Sequence, residues 1–194
     1  MENNFKMLAK TLYGFEDLLA KELTQLGAQE VKKGVRSVTF KGDKGFMYKA
    51  NLALRTAIKI LVPIKTFHIT NENDLYRKVY EMDWASYLKP TGSLAIDATV
   101  HSRQFTHSKF IALKTKDAIV DKFRDTHHKR PNVDLRFPDL KVYVHIDKQL
   151  CTISLDASGE SLHRRGYNTA TNIAPINEVL AAGLIMLSGW DGQC

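Results

Sequence analysis

The chain has 194 residues, 44% of them hydrophobic and 25% charged, with a formal net charge of +7. That length holds one large domain or two small ones, and the composition lies well outside the disordered range. No apolar run approaches the ~18 residues of a membrane span, and the opening MENNFKMLAK has neither the apolar core of a signal peptide nor, with Glu2 and two Asn, the character of a transit peptide.

Taken in chain order, Phe5–Lys10 reads as a short apolar strand. Residues 14–26 follow as a helix, because Phe15, Leu18, Leu19, Leu23 and Leu26 recur at helical spacing, and Gly27 supplies the stop. Residues 29–33 and 35–40 flank Gly34 and are predicted to form a hairpin. A helix over 46–54 and a strand over 57–67 complete the unit, with Pro63 predicting an edge or a bulge. The order β-α-β-β-α-β is that of a ferredoxin-like domain, predicted over 1–67.

A second unit is predicted over 68–156. It opens with a helix over 73–82 carrying Leu75, Val79 and Met82 on one face, with Trp84 and Tyr87 anchoring its end. A turn at Pro90-Thr91-Gly92 leads into a strand over 94–100. Residues 108–126 form a long helix with Ser108 as N-cap and Ile111, Ala112, Ala118, Ile119 and Phe123 facing inward. Pro131 ends helical structure there, and strands over 141–147 and 150–155 pair about a Lys148-Gln149 turn. Residues 157–172 read as a polar linker. A strongly apolar helix over 176–187 follows, its stripe running through Ile176, Val179, Leu180, Gly183, Leu184 and Leu187. Such a helix wants an apolar partner, so the natural protein is expected to continue beyond Cys194. The predicted fold class is thus α+β.

The charge is unevenly placed. Residues 1–65 carry twelve Lys/Arg against six Asp/Glu, and residues 101–145 carry ten against five together with five of the seven histidines. The rest of the chain is slightly acidic. Two basic blocks favour a polyanionic partner, since cations that displace condensed counterions bind phosphate backbones. The cysteines, Cys151 and Cys194, sit in no metal-ligand spacing, and Cys151 lies in the apolar run LCTISL as a buried structural thiol. A reducing, cytoplasmic setting is the expectation. His127 and His128 are adjacent, so on a helix they point about 100° apart and do not share one ion. No metal site is expected.

The most informative stretch is 101–145, where a loop rich in Ser, His and Arg enters a helix N-terminus. Free backbone N–H groups there attract phosphate, and Arg103, His107 and Lys109 add charge. Lys109 and Lys116, seven apart, share a helix face, and Lys129 and Arg130 stand at its far end. Farther on, Arg164 and Arg165 precede Gly166 and Tyr167, pairing guanidinium groups suited to phosphate with a ring suited to stacking. These eight cations, Arg103 to Arg165, are the candidate RNA contacts.

The strings SLDASGESLHRRGY and APINEVLAAGLIMLSGW resemble the THUMP-containing methyltransferases of large-subunit ribosomal RNA, of the guanine-N2 type. FTHSKFIALKTKDAIVDKF, RPNVD and PDLKVYVHI resemble their THUMP domain. Asn168 departs from the pattern, where related sequences often carry another base. The resemblance implies a ferredoxin-like domain and a THUMP domain that grip structured RNA and present a guanine to a Rossmann-like domain using S-adenosylmethionine. The glycine-rich cofactor loop and the Asn/Asp-Pro-Pro-aromatic motif of that domain are not found in this sequence. The resemblance therefore implies that residues 173–194 begin a truncated methyltransferase domain, that this segment alone is inactive, and that it needs no cofactor of its own. By analogy Ala174, Pro175 and Glu178 approach the cofactor or target pocket. The alternatives are a THUMP enzyme that methylates or thiolates transfer RNA, a non-catalytic RNA-binding or ribosome-assembly module, and a ferredoxin-like protein-interaction domain with incidental charge.

Overall fold

The computed structural model describes residues 4–166 and 175–190. It divides into two compact units, one built from 4–62 with 157–166 and 175–190, the other from Pro63–Asp156.

In the first unit, β1 (Phe5–Lys10), α1 (Glu16–Leu26), β2 (Gln29–Gly34), β3 (Ser37–Gly42), α2 (Lys44–Ala53) and the start of β4 (Lys59–His68) follow in chain order. The strands lie in the order β2-β3-β1-β4, with antiparallel neighbours. This is the α+β ferredoxin-like arrangement that the element order predicts. The core gathers Met7, Ala9, Leu19, Leu23, Val38, Phe40, Ala50, Leu54, Ala57 and Ile60, all but fully buried. Gly27 stops α1 at φ 99°, its N–H reaching Leu23 and Thr24 carbonyls. The hairpin turn lies two residues later than predicted. Gly34 stays in β2, and Arg36 takes φ 52° because its N–H donates to Glu16 Oε1 at 2.8 Å and holds the turn.

β4 pairs with β1 only as far as Leu61, and Pro63, which has no N–H to donate, stands just past that pairing. The sequence predicts a domain boundary at 67 and a polar linker over 157–172. The division falls at Val62/Pro63, inside β4. Residues 157–166 do not trail free: Ala157 N–H donates to Ile60 O, Leu162 N–H to Ile58 O, and Ile60 N–H to Ser158 Oγ. Backbone groups and one serine hydroxyl make these bonds, so the polar composition of the segment does not reveal them. The predicted linker residues 167–172 lie outside the described residues.

The second unit contains α3 (Glu72–Tyr80), β5 (Ser93–His101), α4 (Ser108–His127), β6 (Asn132–Val133), β7 (Leu140–Asp147) and β8 (Leu150–Asp156). Its strands run β8-β7-β5-β6, with β5 parallel to both β6 and β7 and β7 antiparallel to β8. Asn71 caps α3 by accepting from Asp74 N–H at 2.9 Å. Trp84 anchors its end as expected, buried and donating from Nε1 to Val79 O at 2.7 Å. α4 lays Ile111, Thr115, Ala118, Ile119, Val120 and Phe123 on the core, while Ala112 is only half-buried. Cys151 is free and buried on β8, and burial pushes its thiol up to about 12.

The final described helix, α5 (Glu178–Leu187), belongs to the first unit. Only Val179 and Gly183 of its predicted stripe are buried. A Cβ added at Gly183 would stand 2.1 Å from Phe15 Cε2, so the bare backbone there is what lets the helix meet the ring. Ile176, Leu184, Ile185 and Leu187 remain exposed. Among the described residues, no helix is long and apolar enough to cross a membrane.

Candidate nucleic-acid interface

The loop 102–107 is held from within. Phe105 is buried in the core of the second unit, and Ser102 Oγ accepts from the N–H groups of Gln104 and Phe105. Gln104 donates to Thr70 O and accepts from Gln149 Nε2 at 3.3 Å. With the loop anchored this way, Arg103 and His107 point to solvent. α4 then begins without the predicted cap. His107, not Ser108, occupies the N-cap position, and no side chain bonds the first turn. Ser108 is displaced because Ile111 N–H already closes on His107 O, which starts the helix one residue earlier than a Ser108 cap would. The uncapped N–H groups and the positive end of the helix dipole therefore face water beside Arg103 and Lys109.

At the other end, His128 turns the chain out of α4 at φ 53°, ahead of Lys129, Arg130 and a buried Pro131. His127 Nδ1 lies 2.7 Å from Thr126 Oγ1 and its ring tilts on Phe123. Among the described residues, no group of three or more His, Cys, Asp or Glu could hold a metal ion. Arg103, Lys109, Lys129 and Arg130 are all exposed, and among the described residues none enters an ion pair. They do not form one patch. A helix of 20 residues separates the two pairs, a span of about 30 Å.

The other candidates fare differently. Lys116 is paired with Asp117 at 2.7 Å and mostly covered. Arg164 is exposed in the first unit. Arg165 requires a correction: its guanidinium donates to the carbonyls of Leu52 at 2.8 Å, Asn51 at 3.0 Å, Leu54 at 2.6 Å and Leu162 at 3.1 Å. It closes the C-terminal end of α2, where a cation is favoured by the helix dipole, and has little left for phosphate. Tyr167 and Ala174 lie outside the described residues. Pro175 is exposed, and Glu178 Oε2 accepts Arg165 N–H at 3.0 Å. Glu178 thus serves the same clamp.

One feature of α4 escaped the periodicity argument. Tyr76 and Tyr80 of α3 stack at 6.2 Å and donate to Asp121 at 2.6 Å and Asp125 at 3.0 Å. Lys114 and Lys122 sit over those rings at 5.2 and 5.1 Å, and Arg124 pairs with Asp121 at 2.9 Å. The hydrogen bond to Asp121, helped by burial, raises the Tyr76 phenol to about 12. The signal was present in the sequence as tyrosines four apart facing a helix with Lys and Asp at matching steps.

Comparison with known proteins completes the picture. A THUMP domain model matches residues 70–156, and an RlmL ferredoxin-like domain model matches residues 6–61. A Synechocystis sp. protein named as an RNA methyltransferase is 43% identical over 177 residues, covering 91% of this chain and 46% of that protein. The ribosomal RNA large subunit methyltransferase K/L of Syntrophotalea carbinolica is 40% identical over 190 residues, covering 98% and 27% respectively. In three dimensions the chain resembles SMU.472, named as a methyltransferase and crystallised with SAH, at a TM-score of 0.81 and 30% identity over 98% of this chain and 50% of that one. The chain therefore spans half or less of each of these relatives.

Proposed function

The chain belongs to the proteins that join an RlmL-type ferredoxin-like domain to a THUMP domain, and on that premise we propose that it binds structured large-subunit ribosomal RNA for an S-adenosylmethionine-dependent methyltransferase acting on guanine N2. The observation that carries the proposal is the pair of exposed, uncompensated cationic stations at the two ends of α4, inside the THUMP unit. Stations about 30 Å apart suit phosphates on separate segments of a folded RNA, read through shape and backbone rather than base edges. Relatives named as RNA methyltransferases extend well beyond the length matched here, which supports placing the methyl transfer in a further domain.

The division of labour follows. The RNA-binding units supply affinity and register, and a base inside a duplex must be unpaired or flipped before its exocyclic amine meets the methyl donor. Catalysis then rests mainly on holding amine and sulfonium methyl in line. S-adenosylmethionine, when bound, supplies that methyl group. A reducing, cytoplasmic setting belongs to the same proposal and agrees with a free, buried Cys151.

The test is a binding comparison at several salt concentrations between structured fragments of large-subunit ribosomal RNA and transfer RNA. Tighter, salt-sensitive binding of the ribosomal fragment is the expected result. Equal or stronger binding of transfer RNA would move the assignment to transfer-RNA modification.

A further inference from the structure

The α4 stations leave one conspicuous surface of the second unit without a role. Between β6 and β7 the chain runs Asp134-Leu135-Arg136-Phe137-Pro138-Asp139, and Leu135 and Phe137 are 78% and 77% exposed. Large apolar side chains on a loose loop would turn inward. Here the loop is fixed at both ends. Asp134 Oδ1 accepts from the N–H groups of Arg136 at 2.8 Å and Phe137 at 3.0 Å, and Asp134 N–H donates to Leu94 O. Asp139 Oδ2 accepts from Ser93 N–H at 2.8 Å and from its hydroxyl at 2.9 Å. Pro138 restricts Phe137 to extended backbone. The ring is held out in water by a backbone that cannot easily collapse.

Arg136 precedes the ring in the loop, and Lys129 and Arg130 stand just before β6, the strand that enters the loop and pairs with the start of β5. The two nearby carboxylates are turned onto backbone N–H groups of the loop and of Ser93. A lone ring and a leucine offer far less than the ~800 Å² per partner of a stable protein interface. One ring is enough to stack one base, and neighbouring cations suit the phosphates beside it.

We propose that the β6–β7 loop is a stacking site for an unpaired RNA base, with Phe137 as the platform and Arg136, beside Lys129 and Arg130, as phosphate partners. The proposal rests on the RNA-binding reading above and adds to it a preference for RNA with a single-stranded element next to the duplex.

The experiment measures binding of the whole chain, by fluorescence anisotropy over a salt series, to a hairpin RNA carrying a short single-stranded tail and to the same hairpin made blunt. F137A is expected to weaken the tailed RNA roughly 5- to 100-fold, the range of a lost base stack, and to leave the blunt RNA and the salt slope unchanged. F137W should restore tailed binding, and R136A should flatten the salt slope by about one unit. Unaltered tailed binding by F137A, or equal losses on both RNAs, overturns the stacking site while leaving the RNA-binding reading intact. Failure of the unsubstituted chain to bind either RNA overturns both.

Discussion

Glu22 is a buried and heavily engaged carboxylate. It is 4% exposed, and accepts from Thr56 Oγ1 at 2.5 Å, Thr56 N–H at 3.0 Å, Arg55 Nε at 2.9 Å and Arg55 N–H at 3.2 Å. Removing it strands donors inside the first unit, so Glu22→Ala should cost about 3 kcal/mol, read as a lower urea midpoint at constant slope. Arg165 makes the matching argument for a cation. Its planar fork spans four carbonyls, which a lysine ammonium cannot do. Arg165→Lys should therefore lose about 1–2 kcal/mol and speed hydrogen exchange in the last turn of α2, while leaving RNA affinity unchanged. Asp74 gives the pH prediction. The Arg77 guanidinium beside it, with Thr70 N–H and Lys78 assisting against desolvation, holds its carboxyl down at about 2, against an ordinary 3.8. A depressed folded-state value means the stabilisation is complete above about 4 and is lost as pH falls toward 2. Thermal melts followed between those values should show a falling midpoint, and Asp74→Asn should make the fall shallower.

At the scale of elements, α5 shows where a pattern was read correctly and its outcome was not. Its run of apolar residues predicts a helix, which exists, but the periodic stripe does not say which residues find a partner. Phe15, over 160 positions away in sequence, decides that by taking Gly183 and leaving Leu184 and Leu187 exposed. Gly183→Ala sets two effects in opposition. Alanine favours a helix interior by about 1 kcal/mol, whereas overpacking against an aromatic ring costs about 1–3 kcal/mol. With a Cβ at 2.1 Å from Phe15, the clash wins and the variant should be less stable. Gly183→Ala combined with Phe15→Leu should recover part of that loss. The same contrast holds elsewhere. Trp84 and Gly27 were legible because each acts on its own helix end. The β2–β3 turn and the N-terminus of α4 were not, because Glu16 and the His107 backbone fix them from outside the local pattern. Arg165 read as an RNA contact for the same reason: a guanidinium suited to phosphate is equally suited to three carbonyls at a helix end, and only the fold brings α2 beside it.

At the scale of the whole molecule, two units carry two separate cores, and four exposed cations of the THUMP unit that enter no ion pair among the described residues stand at the ends of α4. The ferredoxin-like fold of the first unit followed from hydrophobic periodicity and element order, and the THUMP fold of the second from the resemblance of its strings. The distribution of free cations did not, because ion pairing is a matter of neighbours: Lys116 finds Asp117, Lys114 and Lys122 settle over tyrosines, and Arg103, Lys109, Lys129 and Arg130 are left to solvent. Those four side chains are the proposed grip on RNA. The measurement that tests it most directly is the salt dependence of binding to a structured large-subunit ribosomal RNA fragment by the chain and by its Lys109→Glu/Arg130→Glu double variant. Loss of two phosphate contacts should weaken binding at least tenfold at low salt and flatten the log–log salt slope by about two units, with thermal stability unchanged. Identical affinity and slope in a folded double variant would contradict the claim that the ends of α4 hold the RNA.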